Sequence, residues 1–251
     1  MRIWWTLVRR ELSGYFVSWT GYVIIAAVVF LFGLSFSILL QGLNAGETDK
    51  PVTEIFYDTL FLWLILLLAA PVVTMRSFAH EKFCGTFETL MTTPVSDLQV
   101  VLAKFSGAMI FYLLMWSPLL ACIFIVRHFS NDPTVADPGT LGSTFLGITL
   151  IGALYMAMGC FASSLTRSQI IAAMIALVLG ISLFLLSFIS FALSGQAGWT
   201  VKIFTHISLM EHMRDFARGV IDTRPVIFYL SLTVLFLFLT LKSVESRRWK
   251  S

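Results

Sequence analysis

Long uninterrupted apolar runs alternate with short polar islands along this chain. The charge-free stretches are Leu12 to Gly46, Thr59 to Met75, Phe105 to Val126, Pro138 to Thr166, Ser168 to Val201 and Pro225 to Leu241. Each is near or above the roughly 17 to 25 residues that a helix needs to cross a bilayer. The pattern predicts an all-α integral membrane protein with six spans, at about 19–40, 55–75, 100–126, 141–165, 170–193 and 226–241. The runs are continuously apolar, without the alternation of a membrane β-barrel strand.

Local signals refine this frame. Residues 1–18 place Arg2, Thr6, Arg9, Arg10 and Ser13 on one helical face and Trp4, Val8, Leu12, Tyr15 and Phe16 on the other, the pattern of an interfacial helix. Glu11 falls within the apolar face, where it meets a protein partner or a neighbouring helix, or snorkels to water. Pro71 and Pro118 predict kinks in spans two and three. Lys104, near the end of span three, is placed to snorkel. Span four carries Gly147, Gly152, Ala153, Ala157, Gly159, Ala162 and Ser163, a face of small residues that lets helices approach closely. In the segment 195–224, Leu209, Met213, Phe216, Ala217 and Val220 follow helical spacing, with Glu211, His212, Asp215 and Arg218 on the polar side. This predicts an amphipathic helix between spans five and six, lying at the membrane interface.

The most distinctive island is the loop 76–97 between spans two and three. Within Arg76 to Pro94, Thr86 is placed to cap a short helix whose first turn holds Glu88, and Pro94 ends it. Phe87, Leu90 and Met91 then form an apolar ridge. Ser96-Asp97-Leu98-Gln99 has the form of a capping box that starts span three. From spacing alone, such a ridge lies in the head groups, packs on its own bundle or receives a partner.

Composition agrees with membrane residence: 58% of the 251 residues are hydrophobic, 12% are charged and the mean hydropathy is +0.88. With both termini cytoplasmic, eleven basic residues fall inside and six outside, and the two sides carry net charges of +6 and −3 within the overall +3. The positive-inside tendency favours that orientation, and the charge gives no reason to invoke nucleic acid. Cys84, Cys122 and Cys160 lie in the cytoplasmic loop or in spans, so no extracytoplasmic disulfide is expected. The first apolar run is too long for a signal-peptide core, so the N-terminus is expected to be retained.

Candidate chemistry is sparse. The chain has no phosphate-binding loop, dinucleotide fingerprint, zinc-protease signature or nucleophile elbow, so no catalytic residue and no cofactor are expected within it. His206 and His212 with Glu211 lack the spacing of a helical ligand pair, and no metal site is expected. The span interiors hold no titratable Asp, Glu, Lys, Arg or His of the kind that builds a membrane proton relay. Energy is therefore expected to enter from outside the membrane, and the island 76–97 is the rigid charged feature placed to receive it.

Glu81-Lys82, Gly85-Thr86, Glu88, Leu90, Pro94-Val95 and Lys104 resemble the coupling segment of ABC-2 type permeases, the membrane subunits of ATP-binding-cassette transporters. Arg10-Glu11-Leu12, Ser163-Ser164-Leu165-Thr166 with Gln169, and Arg218-Gly219-Val220-Ile221-Asp222-Thr223-Arg224 agree. With Glu245-Ser246-Arg247-Arg248-Trp249, the last set is similar to the gliding-motility-associated and nitrous-oxide-reductase-accessory branches. Trp19 departs from the pattern, standing where a proline is expected. The resemblance implies a multi-pass permease of the bacterial inner membrane and a separate ATPase partner that binds ATP and Mg. It also implies a second permease copy or paralogue. By its terms Glu81, Lys82, Gly85, Thr86, Phe87, Glu88, Leu90, Met91 and Pro94 contact the ATPase, and Glu11 is a further contact. A competing reading is a non-transporting subunit that works mechanically on an extracytoplasmic protein through residues 195–224, with Leu209, Met213, Phe216 and Arg218 on its helix.

Overall fold

The computed structural model describes residues 2–44, 60–87, 95–130, 137–192 and 206–248, and these contain ten helices and no strand. In chain order they are α1 (Arg2–Val17), α2 (Trp19–Asn44), α3 (Leu60–Thr74), α4 (Ala79–Cys84), α5 (Asp97–Met115) and α6 (Ser117–Ser130). They continue with α7 (Pro138–Leu165), α8 (Gln169–Ala192), α9 (Leu209–Ala217) and α10 (Thr223–Arg248). Six segments are long and apolar enough to cross a membrane: Trp19–Gln41, Phe61–Cys84, Asp97–His128, Pro138–Leu165, Gln169–Ser187 and Thr223–Ser246. These match the six predicted spans in number and place; the start of span two, at 55–59, lies outside the described residues, as does most of the loop 41–58.

Span four, α7, is the hub, packing against α3, α5, α8, α9 and α10. Its small residues explain why. A Cβ at Gly152 would stand 2.1 Å from the Tyr112 ring of α5, and one at Gly159 2.0 Å from Thr74 Oγ1 of α3. At Gly147 the Phe216 ring of α9 would be 2.9 Å away. Three neighbours thus use three missing side chains, the close approach that small residues permit when lipid supplies no hydrophobic drive. Around this seam sits an aromatic core in which Trp116 meets Phe32 and Tyr112 edge-on, with ring centroids 5.2 and 5.9 Å away.

Breaks mark two of the spans. Span three is interrupted: α5 ends at Met115 and α6 starts at Ser117. Pro118 has no N–H to offer the Leu114 carbonyl; the Ser117 hydroxyl donates to that oxygen instead at 2.7 Å, while Trp116 N–H closes a tighter turn on Leu113 O at 3.1 Å. Span two is followed by a break. It stops at Thr74, turns over 75–78 and resumes as α4.

The N-terminal helix is more deeply engaged than an interfacial helix need be. Val8 is fully buried, Glu11 lies against Gly107 of α5, and Tyr15 stacks on Phe111 at 4.6 Å. Helix α9 is likewise docked: Leu209, Met213 and Phe216 are at most 1% exposed. Ser143 of α7 donates to Phe216 O at 2.6 Å, and Leu209 N–H to Ser187 Oγ of α8 at 2.9 Å. It ends in a Schellman turn, with Gly219 N–H on Phe216 O and Val220 N–H on Asp215 O. That turn needs the left-handed φ of 86° that Gly219 supplies.

Candidate functional site

The island between spans two and three begins where α3 breaks. Because Ser77 N–H turns to Thr74 O, the Val73 carbonyl is open to Tyr15 of α1, whose hydroxyl donates to it at 3.1 Å. The four-residue turn then leads into α4, whose own N-cap residue, Phe78, offers no capping side chain. Ser163 of α7 supplies the cap from outside. Its hydroxyl accepts from Phe78 N–H and Ala79 N–H, each at 3.0 Å, and donates to Met75 O at 3.2 Å. One serine thus satisfies two of the orphan donors that every helix start presents.

Glu81 of the island meets charged residues from two other helices. Lys104 of α5 is 2% exposed and sits 2.9 Å from Glu81 Oε1 and 3.0 Å from Glu11 Oε1. Arg10 closes the cluster, with Nη2 3.1 Å from Glu81 and 3.2 Å from Glu11. Two cations and two carboxylates from α1, α4 and α5 therefore form one neutral group, the arrangement under which burying charge is tolerable. Lys104 also lies 5.3 Å from the centre of the Phe78 ring, close enough for a cation–π contact. It does not snorkel, because both of its partners reach inward to it.

Lys82 turns away from solvent too. Its ammonium donates to Ser164 O at the end of α7, a carbonyl that also accepts from Ser243 of α10 at 3.2 Å, and it stands 5.3 Å from the Phe87 ring centre. His80 meets Gln169, the first residue of α8, at 2.9 Å. Arg76 donates to Ser18 and Thr20 across the break between α1 and α2, at 3.2 and 2.8 Å. The first half of the island is thereby fastened to α1, α2, α5, α7 and α8.

Glu81 and Lys82 are engaged within the chain, and Glu11 meets the neighbouring helix α5. Phe87, expected on the exposed ridge, is 8% exposed and packs with Phe78, Val100, Val101 and Cys160. Gly85 ends α4 at φ 73°. Thr86 is already helical and its hydroxyl reaches back to Glu81 O at 3.4 Å, so it does not stand before the helix as its cap. Glu88, Leu90, Met91 and Pro94 lie outside the described residues. The expected capping box is present, with Gln99 N–H on Ser96 Oγ at 3.3 Å and Ser96 N–H on Gln99 Oε1 at 3.4 Å. Among the described residues of the island, the large apolar side chain left exposed is Phe83, 75% exposed. The sequence reading passed over it; its signal was a lone aromatic between Lys82 and Cys84.

A family model described as ABC-2 family transporter protein matches residues 35–241, a stretch holding the island and spans two to six. The chain belongs to the ABC-2 transporter family. No curated protein matches it. As an ABC-2 permease it is a multi-pass membrane component of a transporter, of a family that normally works with an ABC ATPase and often dimerises.

At the opposite end of this ABC-2 permease, His212 corrects another expectation. It is 7% exposed rather than on the polar face of α9, with Nδ1 3.1 Å from the Tyr229 hydroxyl and the Phe228 and Tyr229 rings edge-on to it. Burial pushes its pKa down to about 4; His206 adds to the shift and Asp222 opposes it. Arg218 caps the end of the helix and is exposed. Among the described residues no group of His, Cys, Asp and Glu is arranged to hold a metal.

Proposed function

We propose that this ABC-2 permease receives the stroke of a separate ATPase through residues 76–97 and passes it to the bundle as the membrane half of an exporter. The observation that carries this reading is the anchoring of the island's first half to five helices through Arg10, Ser163, Lys104, Lys82, His80 and Arg76. A displacement applied there cannot be absorbed locally, because packed elements move as bodies. ATP and Mg would be held by the ATPase, and two permeases, identical or paralogous, would form the pathway between them. Both termini would be cytoplasmic in a bacterial inner membrane. The similarity of Arg218 to Arg224 and of Glu245 to Trp249 to the gliding-motility-associated and nitrous-oxide-reductase-accessory branches supports placing the chain near them.

The face offered to the ATPase is Phe83 with the exposed Cys84, Gly85 and Thr86; the resemblance assigns Leu90 and Met91 to the same contact. Glu81, Lys82 and Phe87 support that face from behind. Co-purification of the ATPase and its stimulated ATP hydrolysis test this. Phe83→Ser and Leu90→Asp are each expected to weaken co-purification, by about tenfold or more for an aromatic or aliphatic anchor, while size-exclusion behaviour stays unchanged. Full co-purification and hydrolysis in both variants would count against the proposal.

A mechanical reading has one observation in its favour. Helix α7 joins the island at Ser163 to α9 at Ser143 and Gly147, so one rigid rod links the two ends of the bundle. A stable extracytoplasmic protein crosslinked at Arg214 or Arg218, with no ATP-dependent flux in proteoliposomes, would favour mechanical work on that partner over export.

A further inference from the structure

The end of the bundle opposite the island holds a cleft of about 220 Å³ lined by His206, Glu211, His212, Asp215, Asp222, Arg224 and Pro225. It is smaller than the pockets of about 300 to 1,000 Å³ that take drug-sized ligands, so a compact polar group suits it. Glu211, Asp215 and Asp222 bring three carboxylates to the cleft and Arg224 a guanidinium, with Arg214 and Arg218 close enough to act on Asp215 as well. Arg224 is 71% exposed and only loosely paired with Asp222, at 4.0 Å. His212 is 7% exposed, and with Nδ1 on Tyr229 its other ring nitrogen meets no hydrogen-bonding group among the described residues.

The membrane position of the cleft narrows its ligand. Arg224 stands in the first turn of α10, whose far end meets the Ser164 carbonyl at the island end of α7 through Ser243, so the cleft lies where the last span enters the bilayer. Below Arg224, on the same side of α10, follow Ile227, Leu230, Val234 and Phe238, exposed by 65, 50, 65 and 52%. A polar cleft of mixed sign thus continues into an apolar stripe running down the membrane.

We propose that this cleft binds the head group of a zwitterionic phospholipid with a primary ammonium, a phosphatidylethanolamine, whose acyl chains lie along the α10 stripe. The ammonium has three N–H donors for Glu211, Asp215 and Asp222, and the phosphate takes Arg224, whose planar fork suits phosphate oxygens. Burial first, then Glu211 and Asp222, push the Asp215 carboxyl upward against the opposing pull of Arg218 and Arg214, and a bound ammonium would add to that pull. Choline has no N–H to donate, so phosphatidylcholine fits poorly. A wholly anionic head group would bring its charge against three carboxylates.

The test uses the purified full chain in detergent, delipidated and titrated with phosphatidylethanolamine, phosphatidylcholine or phosphatidylglycerol of identical acyl chains, with bound lipid counted by native mass spectrometry. Phosphatidylethanolamine is expected to be retained about tenfold better than phosphatidylcholine, the worth of one charge-assisted hydrogen bond. The pair Asp215→Asn with Asp222→Asn should level the two lipids, and Arg224→Gln should weaken both. Soluble phosphoethanolamine should displace the lipid poorly, because it lacks the chains. Equal retention of the two lipids by the unaltered chain, or a preference for phosphatidylglycerol, overturns the proposal even if a variant fails to fold. Displacement by soluble phosphoethanolamine at matched concentration overturns the part assigned to the α10 stripe.

Discussion

Lys104 Nζ lies 2.9 Å from Glu81 Oε1 with the lysine side chain 2% exposed, so the island and span three are joined by a buried ion pair. Glu11 completes it from the N-terminal helix. Removing one partner from such a group leaves the other charge uncompensated, a loss of about 3–5 kcal/mol. Lys104→Met is expected to lower the melting temperature of the purified permease sharply. Combining it with Glu11→Leu and Glu81→Gln should restore most of that stability, since no buried charge is then left without its partner and Arg10 is half exposed to solvent. Failure of the triple variant to recover would show that the charges do more than neutralise one another.

Ser163→Ala removes the shared cap of α4 and leaves the N–H groups of Phe78 and Ala79 without their partner. Each orphaned donor costs about 1–3 kcal/mol. Hydrogen exchange at Phe78 and Ala79 should accelerate while the centre of α7 stays protected, and unchanged exchange there would contradict this role for Ser163.

Gly159→Ala forces a methyl to within 2.0 Å of Thr74 Oγ1, and overpacking of this kind costs about 1–3 kcal/mol or more. At Gly33 nothing stands within 4 Å of an added Cβ. Gly33→Ala should therefore be neutral or slightly stabilising, by helix propensity. Paired melting curves of the two variants check the contrast.

His212 should give acid sensitivity. Its imidazole titrates near 6.5 when unfolded and near 4 when folded, so the unfolded chain binds more protons between those values. Stability conferred by the neutral, buried ring is present above pH 6.5 and is lost as the pH falls towards 4. Melting temperatures between pH 7.5 and 5 should decline in the unaltered protein and decline less in His212→Gln. Parallel curves would assign the sensitivity to other groups.

The legible parts of this protein are those written in short-range order. Ser96 to Gln99 specify their own capping box, because both bonds close within four residues. Pro118 announces a break in span three, although not that Ser117 and Trp116 would complete it as a full interruption. The partners of charged groups were not legible. Lys104 looked free to snorkel and Lys82 to face outward, because their acceptors, Glu11 and Ser164, stand 93 and 82 residues away in the chain. His212 fell on the polar side of α9 by periodicity, since nothing local reveals that Tyr229 lies across from it.

By itself the sequence determined the six apolar spans, the helical class and the island's position between spans two and three. Transfer from water to lipid and backbone hydrogen bonding within a helix are local properties of a segment. Only the tertiary structure decided which way the island's side chains turn and that Ser163 caps a helix on another element. It also decided that Phe83, not Phe87, is the aromatic left exposed. Those outcomes depend on which distant groups meet in the packed bundle, where a buried charge or an open N–H must find its partner across space.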